Sequence, residues 1–543
     1  MVSFHRTDFS PYTSNGLHNS LQCSSFQCAV CILGFDCPSA DLAAIRGWVI
    51  RYPRPSFRKV HTSLEASQCL ERKPPSHGDR SPPSIWPTCA YWSSTRLCQR
   101  PGRYPRDIWS EQRVHKSTSN PRKPAARLSE LTLSQTGFYP IQCISWNKQP
   151  QMNLFSTRDE QFHRDQKRPV ANAYSMTSLL EMEPAVDSCT EIFFSRLRDF
   201  ADQKKPVDLG TWLQYYAFDV VGEFTFGKKL GFLQEGRDVD GMMEGIQGIL
   251  AYASLCGQVP EMHKALLGNP LFPLLMPSME SWNQVLQFTL KMVNSRASLK
   301  RDGELEKSGL ETGKDMLSRW MAIHYADPGK MSTRDVIVHL STNVFAGSDT
   351  TAIALRAIIY FLLRHPRILD KVVAEIDEAD RRGSLTIPIS YRESIAHLPY
   401  LGAVIKEAMR LHPSVGLILE RHVPKGGITV CGKHIPAGTT VGINAWVLHH
   451  NPTVFPDPEA FVPERWLESS PEKLKEMEQS FFVFGAGSRT CVGKNISLIE
   501  MHKIIPQLLR EFRIQLHQPL KQWKTKNAWF VQQEGLVCEL LRR

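Results

Sequence analysis

The chain has 543 residues, 42% of them apolar and 22% charged, with a formal net charge of +11. That is enough for one large enzyme domain or several ordinary ones, and the apolar share is that of a chain able to bury a core. The charge is local: residues 1–127 carry 18 Lys/Arg against 8 Asp/Glu and the remainder 47 against 46, so the larger part is not charged like a nucleic-acid binder.

Residues 1–127 form a leader of irregular texture, with Pro- and Ser-rich runs such as "RKPPSHGDRSPPSIWP" and little sustained period of either helix or strand. The longest apolar run, "AVCILGF", is far short of the roughly 20 residues that span a bilayer, and polar residues follow Arg6 and Asp8 where a signal peptide would be apolar. Cys28 and Cys31 make a CxxC, flanked by Cys23 and Cys37, but no second CxxC or spaced His pair completes a zinc site. The leader reads as disorder or as translation outside the native frame. The six cysteines after residue 100 show no disulfide framework and suit a reducing compartment.

Residues 128–543 read as one mainly helical domain with small β-sheets. "MTSLLEMEPAVDSCTEIFFSRLRDFA" has helical spacing, and "LGTWLQYYAFDVVGEFTFGKKLGF" predicts a long amphipathic helix with Asp208 and Gly210 at its start. From Ser332 to Leu363 the chain is apolar almost all round, opens with Ser332 and Asp335 as a capping-box variant and stops before His365 and Pro366. It predicts a long central helix. Within it "STNVFAGSDTT" places a glycine, an acid and two threonines where they are locally unfavourable. They mark either a kink with a satisfied polar pair or a functional groove.

In "YLGAVIKEAMRLHP", Glu407 and Arg410 are three apart and share a helix face, an arrangement that elsewhere is a weak surface ion pair. Short β-branched runs broken by Gly and Pro between 414 and 447 predict small hairpins. No repeat of solenoid period is present. Finally "FFVFGAGSRTCVGKN" holds Cys491 in a glycine loop with a helix starting just after it. A helix N-terminus with Arg489 nearby favours thiolate over thiol, and a thiolate is a soft ligand for iron. A lone structural cysteine would not need Phe484, Gly487, Arg489 and Gly493 around it.

This pattern, Phe-x-x-Gly-x-Arg-x-Cys-x-Gly, resembles the signature of the cytochromes P-450, the haem-thiolate monooxygenases. The resemblance covers roughly residues 128–543, and "KRPVANAYSM" and "GKNISLIEM" are most similar to the fungal pisatin demethylase-like branch, whose members are often tailoring enzymes of secondary metabolism. It implies the P-450 fold and haem b bound through Cys491. It also implies an oxygen groove at Ala346 and Gly347, a proton relay through Asp349 and Thr350, and a structural triad of Glu407, Arg410 and Arg465 beneath the haem. "FHRDQKRPVANAYS" resembles the segment that contacts haem propionates, with His163 where many members have Trp, and with Lys167 or Arg168 as the cation. Val415, Leu417, Ile418, Trp529 and Phe530 are implied substrate-pocket residues, for which core packing is an equal reading.

The resemblance further implies a monomer that takes O2, receives NADPH-derived electrons from a cytochrome P-450 reductase docking near Lys494, and resides at the endoplasmic reticulum membrane. The apolar run from 250 to 276 would touch lipid. No flavin or nicotinamide fingerprint is present in the chain. Residues 1–127 show no clear anchor, hinge or first sheet of the family. A non-catalytic or damaged haem-binding paralogue is therefore the alternative, with a haem-thiolate isomerase or dehydratase as a minor one.

Overall fold

The computed structural model describes residues 134–146, 149–267, 283–301, 313–430 and 432–543. The chain divides into two units, Met1–Pro87 with Leu274–Met276, and Thr88–Pro273 with Pro277–Arg543, and every described residue belongs to the second. The leader, its CxxC and the boundary expected near 127 lie outside the described residues, as do positions 268–276 of the apolar run.

Strand β1 (Ser134–Gln135) precedes helices α1 (Glu160–Val170) and α2 (Glu183–Asp202), then β2 (Val207–Asp208) and α3 (Leu209–Phe226). There follow α4 (Met242–Cys256), α5 (Gln284–Arg301), α6 (Thr333–Arg364), α7 (Pro366–Arg381) and α8 (Pro399–Leu411). Beyond these come β3 (Leu419–His422), β4 (Thr440–Ile443), α9 (Ala445–His449) and α10 (Lys494–Glu511). The chain closes with β5 (Phe512–Leu516), β6 (Lys524–Ala528), β7 (Phe530–Glu534) and β8 (Val537–Arg542), among shorter elements. The expected class, mainly helical with small sheets, is the observed one.

Helix α6 starts where its capping box puts it. The Ser332 hydroxyl accepts from the Asp335 amide at 3.1 Å, and the Asp335 carboxylate accepts from the Ser332 amide at 2.9 Å. By length and composition α6 could cross a bilayer, but 72% of its most apolar stretch is packed inside the protein, which makes it the core's axis. Helix α3 differs from the amphipathic expectation: from Leu213 to Phe226 every residue is buried. It packs on α6, its most extensive helix neighbour, and also on α2 and α10, so it has no solvent face to keep polar. Gly227, at φ 65°, ends it in the left-handed region. The run of helical spacing from Met176 forms a short helix, Met176–Leu180, and then α2, because Pro184 fits only the first turn of α2, where its missing N–H costs nothing.

One antiparallel sheet has the order β1-β3-β4, with Gln135 opposite Arg421 and Glu420 opposite Gly442. A second places β8 between β2 and β5, and β6 and β7 form a hairpin. The four C-terminal strands were not expected from pattern. β6, "KTKNA", is solvated along its length and shows no apolar alternation.

Glu500 of α10 is wholly buried, and neither carboxyl oxygen has a hydrogen-bond partner. Burial pushes its pKa well above the usual carboxylate value, so it folds as the neutral acid. Because the folded pKa exceeds the unfolded one, Glu500's contribution is complete below the unfolded value of about 4.3. It is lost as pH rises toward the folded pKa, at up to about 1.4 kcal/mol per pH unit. Glu500→Gln should therefore gain stability over the parent at pH 8 relative to pH 5. Urea midpoints at the two pH values, read as a difference between variant and parent, check this; an equal difference at both would refute a buried neutral acid.

Candidate active site

Two left-handed glycines, Gly485 at φ 66° and Gly487 at φ 68°, fold the segment before Cys491 into a tight loop. The Cys491 amide donates to the Phe484 carbonyl at 2.9 Å and closes it. Cys491, Phe484 and Gly493 then line a cavity of about 310 Å³, whereas Gly487 shapes the loop from outside the lining. Arg489 braces the loop by donating to Glu160 at 2.7 Å and to the carbonyls of Leu154 at 2.9 Å and Thr157 at 3.1 Å. Lys167 of α1 adds a bond to the Ser488 carbonyl at 2.7 Å. Glu160, the acid that fixes Arg489, carries no motif of its own.

Cys491 has accessible surface yet lies deep in the protein, because what it exposes is cavity wall. Burial raises its thiol pKa, against the opposing effects of the Gly493 and Lys494 amides and the charges of Lys494 and Lys167. The amides at the helix start act toward thiolate, as expected of a helix N-terminus, and burial acts against them. For the thiol alone, dehydration outweighs the helix end. A metal ion held by this thiol would take the place of its proton.

The central helix forms another wall with Ala346, Gly347 and Thr350. The Thr350 hydroxyl donates to the Ala346 carbonyl at 2.9 Å, which leaves its lone pairs for the cavity. Asp349 does not line the cavity. Its buried carboxylate accepts from Gln214 of α3 and, at 2.9 Å, from Gln532 of β7, while the Gln214 carbonyl oxygen takes Arg356 at 2.6 Å. Burial raises the Asp349 pKa despite Arg356 and the two amides. Direct relay between Asp349 and Thr350 therefore needs the carboxyl to turn away from both glutamines. Sequence gave no sign of Gln214 or Gln532, since i to i+1 neighbours on a helix point to different faces.

Three cations reach the cavity: Lys167, Arg489 and Arg421 of β3. The Arg421 guanidinium donates to the Tyr139 hydroxyl at 2.6 Å, a pair that the sequence did not reveal. Buried His163 stands among them with Nδ1 unpartnered, and burial with the charges of Arg489 and Lys167 holds its pKa down at about 3. Arg168 is exposed and away from the cavity, so of the two cations considered Lys167 is the one placed there. A thiol, several cations, an unpartnered imidazole and a largely apolar wall with scattered polar side chains fit a flat, largely apolar macrocycle with anionic arms.

Val415, Leu417, Trp529 and Phe530 also line the cavity, while Ile418 is half-buried beside it. Trp529 turns the β6–β7 hairpin at φ 79°, stacked on Phe138 at 4.8 Å and edge-on to Phe155 at 5.7 Å.

The triad lies off the cavity, wholly inside the protein. Glu407 accepts from Arg410 at 2.8 and 2.9 Å, from Arg465 at 3.1 Å, from the Trp466 indole at 2.9 Å and from the Val462 amide at 3.1 Å. Trp466, next to Arg465, is a member that no motif in the sequence indicated.

A family model described as cytochrome P-450 matches residues 144–537. A cytochrome P-450 monooxygenase of Aspergillus terreus is 39% identical over 388 residues, covering 70% of this chain and 77% of its own. Pisatin demethylase of Fusarium vanettenii is 39% identical over 388 residues, covering 70% and 72%. The monooxygenase cicH of Emericella nidulans is 38% identical over 393 residues, covering 72% and 77%.

Gly347 has a second constraint besides cavity space. A Cβ there would stand 2.6 Å from Val221 Cγ2 of α3. Gly347→Ala should lower stability by about 1–3 kcal/mol through forced separation of α3 and α6. Val221→Ala in the same chain should recover most of it. Thermal melting of the single and double variants tests the pairing, and simple additivity would show that the two side chains do not meet.

Proposed function

The chain belongs to the cytochrome P-450 family, and from that membership we propose that it is a haem-thiolate monooxygenase that puts one atom of O2 into a small apolar organic substrate by hydroxylation, epoxidation or dealkylation. Relatives named as fungal P-450 monooxygenases and pisatin demethylase favour a tailoring role in fungal secondary metabolism. The observation that carries the reading is one cavity shared by the Cys491 thiol and the Thr350 hydroxyl. The catalytic domain would run from about residue 128 to 543, with 1–127 a leader outside it.

Bound haem b would supply the iron that takes O2 and reducing electrons, with its thiolate favouring O–O cleavage. Cys491 would hold the iron, because it is the cavity's only thiol among the described residues. Lys167, Arg489, Arg421 and His163 would hold the propionates. Thr350 Oγ1, which gives its own hydrogen to the Ala346 carbonyl, would accept a hydrogen bond from a water in the cavity and so order proton delivery, with the buried Asp349 carboxyl, its pKa raised by burial, behind it. Phe155, Trp529, Val415 and Leu417 give the substrate an apolar enclosure that excludes bulk water.

Electrons would come from an NADPH-dependent reductase steered to the cationic surface at exposed Lys494. Half-exposed Leu255 and Met262, within the apolar run from 250, support contact with the endoplasmic reticulum membrane.

Cys491→Ser should abolish the red-shifted Soret band of the ferrous–CO complex, and a normal band would remove Cys491 as the ligand. Thr350→Ala should keep haem and leave substrate-induced spectral shifts intact, while product formed per NADPH falls roughly tenfold or more in favour of peroxide. Unchanged coupling would move the relay to another group.

A further inference from the structure

Glu407, Arg410 and Arg465 send no side-chain hydrogen bond to the loop of Cys491 among the described residues: their partners are each other, Trp466, the Val462 amide and the carbonyls of His449, Pro456, Asp457, Pro458 and Ala460. The two regions are joined by the side chain of His449, at the end of α9. Its Nδ1 lies 3.0 Å from the Arg410 carbonyl oxygen, and the Phe482 amide donates to its Nε2 at 2.8 Å. Those partners fix the tautomer: Nε2 accepts, so Nδ1 carries the proton and donates. The ring is wholly buried and stacks on Phe481 at 5.6 Å and 17°. Its backbone carbonyl accepts from Arg410 at 2.9 Å, so residue 449 is locked to Arg410 from both sides.

We propose that His449 is the positioning residue that carries the register of the Glu407–Arg410–Arg465 triad to the start of the cysteine loop, and so holds the thiol where iron is ligated. The chain of bonds runs from the Arg410 carbonyl through one imidazole to the Phe482 amide, and from there through the turn Gly485 N–H to Phe482 O at 3.1 Å into the loop closed by Cys491 N–H to Phe484 O. An imidazole suits the place because it is the one neutral side chain that presents a donor and an acceptor on opposite edges of a rigid ring. The inference rests on Cys491 as the iron ligand, which Cys491→Ser tests separately.

The experiment compares the holoenzyme with His449→Phe, which keeps a ring on Phe481 and removes both bonds, and with His449→Gln, whose amide keeps one donor and one acceptor. At equal haem content, the Phe variant should raise the ratio of the short-wavelength to the red-shifted ferrous–CO band about tenfold, with the Gln variant between it and the parent. Equal ratios in all three proteins would overturn the proposal, as would a Gln variant no better than Phe. Should the Phe variant not accumulate, amide exchange in the parent holoenzyme decides: slow, core-like exchange at Phe482 supports the bond to His449, and exchange as fast as in a solvated turn overturns it.

Discussion

A single buried carboxylate, that of Glu407, holds together the segments on which the site is built. It takes five donors from α8, from the Val462 backbone and from the Arg465–Trp466 turn, and every one is out of water. One negative charge faces two guanidinium groups, so the excess positive charge is spread over five backbone carbonyls bonded by Arg410 and Arg465. Such a cluster contributes little net stability over an apolar replacement, but removing any one member leaves an unpaired buried charge at a cost of about 3–5 kcal/mol. Its value is geometric: the shared carboxylate fixes how α8 and residues 456–466 meet.

The cysteine loop is thereby placed between two independent anchors. From one side Arg489 and Lys167 tie it to α1 and the segment before it; from the other, Phe482 is tied through α9 to the base of α8. A loop of this kind, with two left-handed glycines, has many conformations in isolation. Its single conformation is imposed by side chains distant in sequence, over 300 residues away in the case of Glu160.

That distance explains what could be read from the sequence and what could not. Helix α6 was legible because its signals are local: a capping box, a continuous apolar run and a terminal His-Pro. The Cys491 loop and the Glu407–Arg410 spacing were legible because their residue types are rare in that order. The burial of α3 was not, since an all-round apolar helix and an amphipathic one overlap in composition when Tyr, Thr and Gln are present. The direction of Asp349 was equally invisible: helical phase puts it one residue from Thr350, but its partners come from α3 and β7. The thiol's raised pKa reflects an environment made by many segments at once, and a motif describes only one of them.

The turn at Trp529 shows a conflict between local and distant demands. A left-handed backbone suits glycine, and a bulky residue there costs roughly 1–2 kcal/mol. Phe138, Phe155 and Tyr139 meet the ring of Trp529 from segments far from the hairpin, while its carbonyl accepts the Gly416 amide at 2.8 Å. The substitution that would best relax the turn would also remove the indole from the chamber and widen it. In evolutionary terms this position trades foldability directly against selectivity: a lineage drifting toward the more comfortable backbone would acquire a roomier and less discriminating chamber in a single step, and one returning to a tight fit would have to accept the strain again.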